Sequence, residues 1–336
     1  MEQLLQATVS GLAIGSIYAL IALGLVLLYR TTKILNFAHG EFGLFGTFLA
    51  FLFLNSLGLP YALSFVLSLV AALLLGGVIS LLLVKPGKVA LSLGLGVLTG
   101  ALTYGVFVSL FAAALVGVAV GLATYLFNDR TPNTPGELGL IILTLGVNLS
   151  LQGYYALSFG TDNKILPSVV EDSVLRFGGA ALSRSSLITS LIGVVIMVAL
   201  WLLLNRTKIG LAMRAVAQRE DVAKAMGIPV KTVMFATWGV SALLAAAAAL
   251  LLAPTTLLSP TMMFEPLSKG FVAAVIGGMN SLPGAILGGY ILGVLELMVG
   301  VYISNEFKAS FAFLVVILVL VFRPHGILGK PEVRRV

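Results

Sequence analysis

The sequence predicts an all-α polytopic integral membrane protein with about nine to eleven transmembrane helices, and three observations lead there. Hydrophobic residues make up 59% of the 336 and charged residues only 10%, where soluble domains carry about 25% charged. The mean hydropathy is +1.10. The charges are also clustered: only Glu41 is charged between Ile34 and Val84, and nothing is charged between Val89 and Asn128. Runs of about 20 apolar residues are what a helix needs to cross a bilayer.

In chain order the spans read as roughly 4–29, 38–57, 60–84, 89–107, 109–127, 136–160, 185–205, 233–253, 268–281, 284–303 and 307–322. The second and ninth have Gly-rich or Pro-flanked ends and are the ones expected to be broken or re-entrant, which is tolerated where protein or water covers the backbone. The 39 residues from Val89 to Phe127 suit two short helices better than one, because two crossings keep Lys88 and Arg130 on the same side. The Pro-rich 128–135 segment follows as a linker. Thr161–Arg184, mixed and with no net charge, reads as a loop or short helix resting on the outer surface.

Orientation follows from the basic residues. With the amino terminus outside and the carboxyl terminus cytoplasmic, Arg30, Lys33, Lys85, Lys88, Arg130, the six basic residues of 206–231, Arg323, Lys330, Arg334 and Arg335 fall inside. Lys164, Arg176, Arg184, Lys269 and Lys308 are left outside, a bias the positive-inside rule favours strongly over its reverse. That loop bias also accounts for a pI near 9.7 without nucleic acid as a partner. No Lys or Arg occurs in the first 29 residues, so no cleaved signal peptide is expected and the first helix stays in the membrane. The absence of cysteine excludes disulfides, thiolate metal sites and Cys nucleophiles.

Among the 37 glycines, the pairs Gly11/Gly15, Gly96/Gly100, Gly117/Gly121, Gly284/Gly288 and Gly289/Gly293 have helix-packing spacing, which lets backbones approach closely in lipid. Glu296 extends the face Gly289–Gly293–Glu296–Gly300. An intramembrane carboxylate is costly and faces protein or water, so Glu296 reads either as a pathway or gating residue or as a packing carboxylate. Asn148, Gln152 and Tyr155 form a polar stripe on the sixth span, either gluing helices or lining a pathway. Asn36, His39 and Glu41 sit at the start of the second span; two candidate ligands are too few for a closed metal site, and a hydrogen-bonded helix start is the plainer reading. No phosphate-cradling loop appears, so any ATPase must be another chain.

The charged island Arg206–Lys231 holds six Lys/Arg against Glu220 and Asp221, a net +4 of the chain's +7. Leu211–Arg219 reads as an amphipathic helix, Glu220 and Asp221 begin a second turn, and Gly227 and Pro229 end it. Its charge, length and placement between two spans favour a cytoplasmic docking segment over a plain solvated loop.

The chain resembles the LivH-type permease subunits of branched-chain amino acid ABC importers. Four blocks carry the resemblance: LNFAHGEFGLFG at 35–46, GLAMRAVAQREDVAKAMGI at 210–228, KGFVAAVIGGMNSLPGAILGGYILGVLE at 269–296 and FRPHGILGKP at 322–331. Importers of this kind carry a coupling pattern of Glu-Ala-Ala, three residues, then Gly; here Asp221-Val222-Ala223 and Gly227 match it in degenerate form. The apolar stretch at 88–130 departs from the family's usual spacing and reads as an extra hairpin within a single 1–336 transmembrane domain.

The resemblance implies a multi-pass protein of a bacterial or archaeal cytoplasmic (inner) membrane, with no cofactor of its own and ATP and Mg held by partner ATPase subunits. It also implies a second, homologous permease subunit, two ATP-binding subunits and an extracytoplasmic substrate-binding protein. Gly210, Arg214, Arg219, Asp221, Ala223, Gly227 and Pro229 would couple to the ATPase; Asn148, Gln152, Tyr155, Glu296, Gly277 and Gly278 would line the substrate pathway. Because the family also looks to include urea and amide carriers, that substrate class stays open, as does a stand-alone secondary transporter or channel. The island discriminates the latter, since a stand-alone carrier needs no ATPase dock.

Overall fold

The computed structural model describes residues 2–84, 137–168, 174–177 and 180–329. The expected spans at 89–107 and 109–127, the 128–135 linker, the extra hairpin at 88–130, and the pairs Gly96/Gly100 and Gly117/Gly121 lie outside the described residues.

The elements in order are α1 (Glu2–Thr32), α2 (His39–Asn55), α3 (Tyr61–Val84), α4 (Glu137–Phe159), β1 (Val174–Phe177), β2 (Ala180–Ser183), α5 (Arg184–Arg206), α6 (Lys208–Gln218), α7 (Glu220–Ala225), α8 (Val230–Leu252), α9 (Phe264–Gly277), α10 (Leu282–Tyr302) and α11 (Phe307–Phe322). Six of the described helices (α1, α3, α4, α5, α8 and α10) are long and apolar enough to cross a membrane. The chain is thus a helical multi-pass membrane protein.

α1 is the central post, packed against α5, α8, α9 and α10. Small residues make that possible. A β-carbon on Gly11 would lie 2.7 Å from the Val294 Cα, and one on Gly293 would lie 2.5 Å from the Gly15 Cα. The two helices therefore touch backbone to backbone, the close approach that dispersion-driven packing in lipid rewards. α8 fills the other side, its run Ala245–Ala249 fully buried and its surface meeting α2 and α3.

α2 and α9 are short. At 17 and 14 residues they rise only about 25 and 21 Å, less than the ~30 Å of a hydrocarbon core. α2 begins at mid-height: His39 meets Gly24 of α1 and Ser241 of α8, and Ser241 stands midway along its helix. The link 33–38 therefore returns from the end of α1 into the bundle as non-helical backbone. Gly40, in the first turn of α2, packs against Met263 and Leu267, so α9 also starts beside this point. The second and ninth spans, expected to be broken or re-entrant, are thus short continuous helices, and α9 begins four residues before the 268–281 expectation.

Two other expectations need correction. Part of the 161–184 loop is a β-hairpin, β1 pairing antiparallel with β2 in the register Val174–Ser183 to Phe177–Ala180. Four-residue strands are too short to show a period in the sequence. Lys269, counted among the outer-loop cations, is 8% exposed inside α9. It belongs to the helix bundle because a carboxylate waits for it there.

Candidate functional site

The unwound 33–38 segment must satisfy its backbone polar groups inside the bundle, and side chains do this. Thr144 Oγ1 accepts from the Phe37 N–H at 3.3 Å. Asn148 Nδ2 donates to the Phe37 carbonyl at 3.1 Å. Asn36 Oδ1 accepts from the Ala38 N–H at 3.0 Å. The Tyr155 hydroxyl, fully buried, donates to the Glu41 carbonyl at 2.9 Å, and its ring stacks on Phe48 at 5.0 Å between centroids. The stripe seen in the sequence thus holds the start of α2 in place.

A cavity of about 430 Å3 opens beside this segment between α4, α9 and α11. Its walls are chiefly Leu, Val and Phe side chains, with Asn36, Asn148 and Ser268 as polar groups. Asn36 is 4% exposed, and its Nδ2 has no hydrogen-bond partner among the described residues. Ala38, the residue capping α2, contributes no side-chain bond to the first-turn N–H groups. Those groups carry the positive end of the helix dipole. Gln152, half-buried, and Tyr155 do not line the cavity. Of the stripe, Asn148 alone does.

Glu296 faces α1 and α9. Its Oε1 is 2.6 Å from Lys269 Nζ, and its Oε2 accepts from the Tyr18 hydroxyl at 2.9 Å. Lys269 is also paired with Glu265 one turn earlier on α9. Glu296 is therefore a paired carboxylate within the bundle, and it is not among the residues lining the cavity beside 33–38. Gly277 and Gly278 lie at the α9–α10 turn, also apart from the cavity. A β-carbon on Gly277 would collide with the Gly284 carbonyl, and Gly278 (φ 104) rests on Gly329 and His325. The carboxyl-terminal segment is tied to this turn by Ile327 N–H to Ile276 O at 2.8 Å and Leu328 N–H to Gly277 O at 3.1 Å.

Sequence reasoning did not reach Tyr18, Thr144 or Lys269. Lys269 had a local signal in its i, i+4 spacing from Glu265. The Thr144–Phe37 contact spans 107 residues and has none.

The island folds as two short helices at one end of the bundle. α6 starts three residues earlier than expected, because Thr207 caps it by accepting from the Gly210 N–H at 3.0 Å. Gly210 is buried, and a β-carbon there would strike Leu203 and Leu204 of α5. Extended backbone at Arg219 (φ −154) separates α6 from α7. Gly227 takes φ +81 with open space around it, and Pro229 precedes α8. Ala223 is buried, whereas Arg214, Arg219, Asp221, Gly227 and Pro229 are exposed. So are Ile209, Leu211, Val222 and Met226, the last 78% exposed.

Two short helices that start side by side, a cavity beside them and a capped helical island at one end are set in a helical multi-pass membrane protein. The family described as "Branched-chain amino acid transport system / permease component" matches residues 7–99 and 87–321. The chain belongs to this family. It is 31% identical over 340 residues to the high-affinity branched-chain amino acid transport system permease protein LivH of Salmonella typhimurium, covering 99% of this chain and 97% of that protein. It is 30% identical to BraD of Pseudomonas aeruginosa, covering 99% and 98%. A probable LivH of Methanocaldococcus jannaschii is 27% identical over 94% of this chain and 89% of its own length. Among solved structures, PsaBC from Streptococcus pneumoniae in complex with Fab matches at a TM-score of 0.41 and 17% identity, over 94% of this chain and 91% of that one.

Proposed function

We propose that this chain is the permease subunit through which an ATP-driven importer moves branched-chain amino acids across the inner membrane by alternating access. The observation that carries this reading is the cavity beside the unwound 33–38 segment. Its volume of about 430 Å3 falls within the range of small-molecule sites. An aliphatic amino acid needs apolar walls for its side chain and donors for its carboxylate. The Leu, Val and Phe walls supply the first. The Asn36 amide on the cavity wall supplies the second. Asn148 sits on the same wall.

The island is the coupling segment and faces the cytoplasm. Exposed Arg219, Asp221, Gly227 and Pro229 meet an ATP-binding subunit, while Arg214 bonds back to Asn205 of α5 and Gly210 and Ala223 hold the two helices together and against α5. The exposed apolar Ile209, Leu211, Val222 and Met226 support this reading, since apolar groups clustered on a polar element mark a partner surface. The assembly contains a second, homologous permease, two ATP-binding subunits that hold ATP and Mg, and a substrate-binding protein on the other side.

Co-purification with the ATP-binding subunits tests the reading, comparing wild type with Gly227→Arg. Open space around Gly227 leaves only the left-handed backbone penalty of about 1–2 kcal/mol against the variant, so loss of the ATPase with normal insertion is the expected result. Retention of the ATPase together with normal leucine uptake would overturn the coupling assignment. Orientation is checked by single-cysteine labelling of the island, for which the chain has no background thiol.

A further inference from the structure

A second cavity, of about 510 Å3, lies at the island end of the bundle between α1, α5, α6 and α10. It is separate from the transport cavity and shares no lining residue with it. Its polarity is graded along the helix axes. On α1 the walls run from Leu23 and Leu27 to Arg30, and on α5 from Met197 and Leu200 to Asn205. The stretch from Leu23 to Thr31 spans about 12 Å of helix. The apolar end points into the bilayer region and the polar end towards the basic island.

Two guanidinium groups close the polar end. Arg30 stands in the last turn of α1, and Arg214 reaches over from α6, donating to Asn205 Oδ1 at 3.2 Å. Neither has a carboxylate partner among the described residues. A single bond to Asn205 leaves most of the five donors of Arg214 free. Two arginines with no carboxylate partner among the described residues, at the mouth of a greasy groove, suit a ligand with one anionic end and one hydrocarbon end.

We propose that this groove binds an anionic phospholipid, its phosphate between Arg30 and Arg214 and an acyl chain along Leu27, Met197 and Leu200. Basic pockets between transmembrane helices recognise anionic headgroups by this chemistry, and planar guanidinium groups match phosphate oxygens in pairs. The site joins a lipid to α6, the first helix of the island, and to the end of the central post. The lipid is therefore a structural ligand of the coupling end.

The test is native mass spectrometry of the protein purified in mild detergent, alone and with its ATP-binding subunits, titrated with phosphatidylglycerol, phosphatidylcholine or inorganic phosphate. Wild type is expected to retain one phosphatidylglycerol per chain in preference to phosphatidylcholine. Arg30→Gln is expected to weaken that retention about fivefold, the share of one arginine near an anionic headgroup. Ile286→Trp, which fills the groove wall and keeps both arginines, is expected to lower retention of the lipid as well. Equal retention of both lipids would overturn the proposal, as would saturation by inorganic phosphate alone. So would unchanged retention in both variants, or loss of the lipid whenever the ATPase is bound, which would make the groove a protein dock.

Discussion

Lys269 on α9 and Glu296 on α10 stand 2.6 Å apart inside the bundle, and Tyr18 of α1 donates to the same carboxylate. Three helices are joined through one charged pair. The pair is asymmetric: Lys269 keeps Glu265, whose side chain is 66% exposed, if Glu296 is lost. Glu296 keeps only a phenol if Lys269 is lost.

Lys269→Met is therefore expected to be the more damaging change, by about 3–5 kcal/mol, since it strands a buried charge. Glu296→Gln should cost less because its amide still accepts from Tyr18. The double change Lys269→Met/Glu296→Met should recover most of the loss. Thermal midpoints of the purified protein check the order; a double variant worse than Lys269→Met would show that the charges themselves are needed.

Asn36→Ser separates scaffolding from substrate contact. The serine hydroxyl can still accept from the Ala38 N–H, as the Asn36 oxygen does, but the side chain no longer carries the amide donor and brings no charge into the bundle. Assembly should be unchanged and leucine uptake in proteoliposomes should fall at least about tenfold, a differential of roughly 1.4 kcal/mol. Uptake at the wild-type level would remove Asn36 from the carboxylate site.

Tyr155→Phe keeps the stack on Phe48 and deletes the bond to the Glu41 carbonyl, leaving that acceptor buried. A loss of about 1–3 kcal/mol is expected. Tyr155→Ala should cost about 3–5 kcal/mol through the cavity it leaves. The two midpoints, measured side by side, give the hydrogen bond and the ring separately.

Two glycines are required for different reasons. Gly277→Ala drives a methyl into the Gly284 carbonyl and should abolish accumulation of folded protein. Gly227→Ala meets no atom within 4 Å and suffers only the left-handed backbone penalty of about 1–2 kcal/mol, so it should fold. Expression level and size-exclusion profile distinguish them.

Much of this was legible in the sequence where the signal is local. Glycine and proline at 227 and 229 marked the end of the island, and the Gly-rich or Pro-flanked ends of the second and ninth spans set apart the two helices that are short. The stripe Asn148–Gln152–Tyr155 was visible as a polar face, but its partners, the Phe37 and Glu41 carbonyls, lie more than 100 residues away. The same blindness misplaced Lys269: read locally it is a loop cation, and only its neighbour on another helix makes it an interior one. Glu296, Gly277 and Gly278, expected on the pathway, are not among the residues that line the cavity beside 33–38. Intramembrane polarity and glycine indicate a special environment without saying whether it is a wall or a joint.

The backbone contact between α1 and α10 has a consequence for motion. Helices separated by side chains can slide by changing rotamers, but Gly15 and Gly293 leave nothing between the two chains to rearrange. With the Lys269 pair adding α9, these three helices travel as one strut. Non-helical backbone leads into this strut by two links, the six residues between α1 and α2 and the eleven between α8 and α9. On the proposed reading, a ligand in the cavity walled by Leu35, Asn36 and Phe37 touches the first of these links directly.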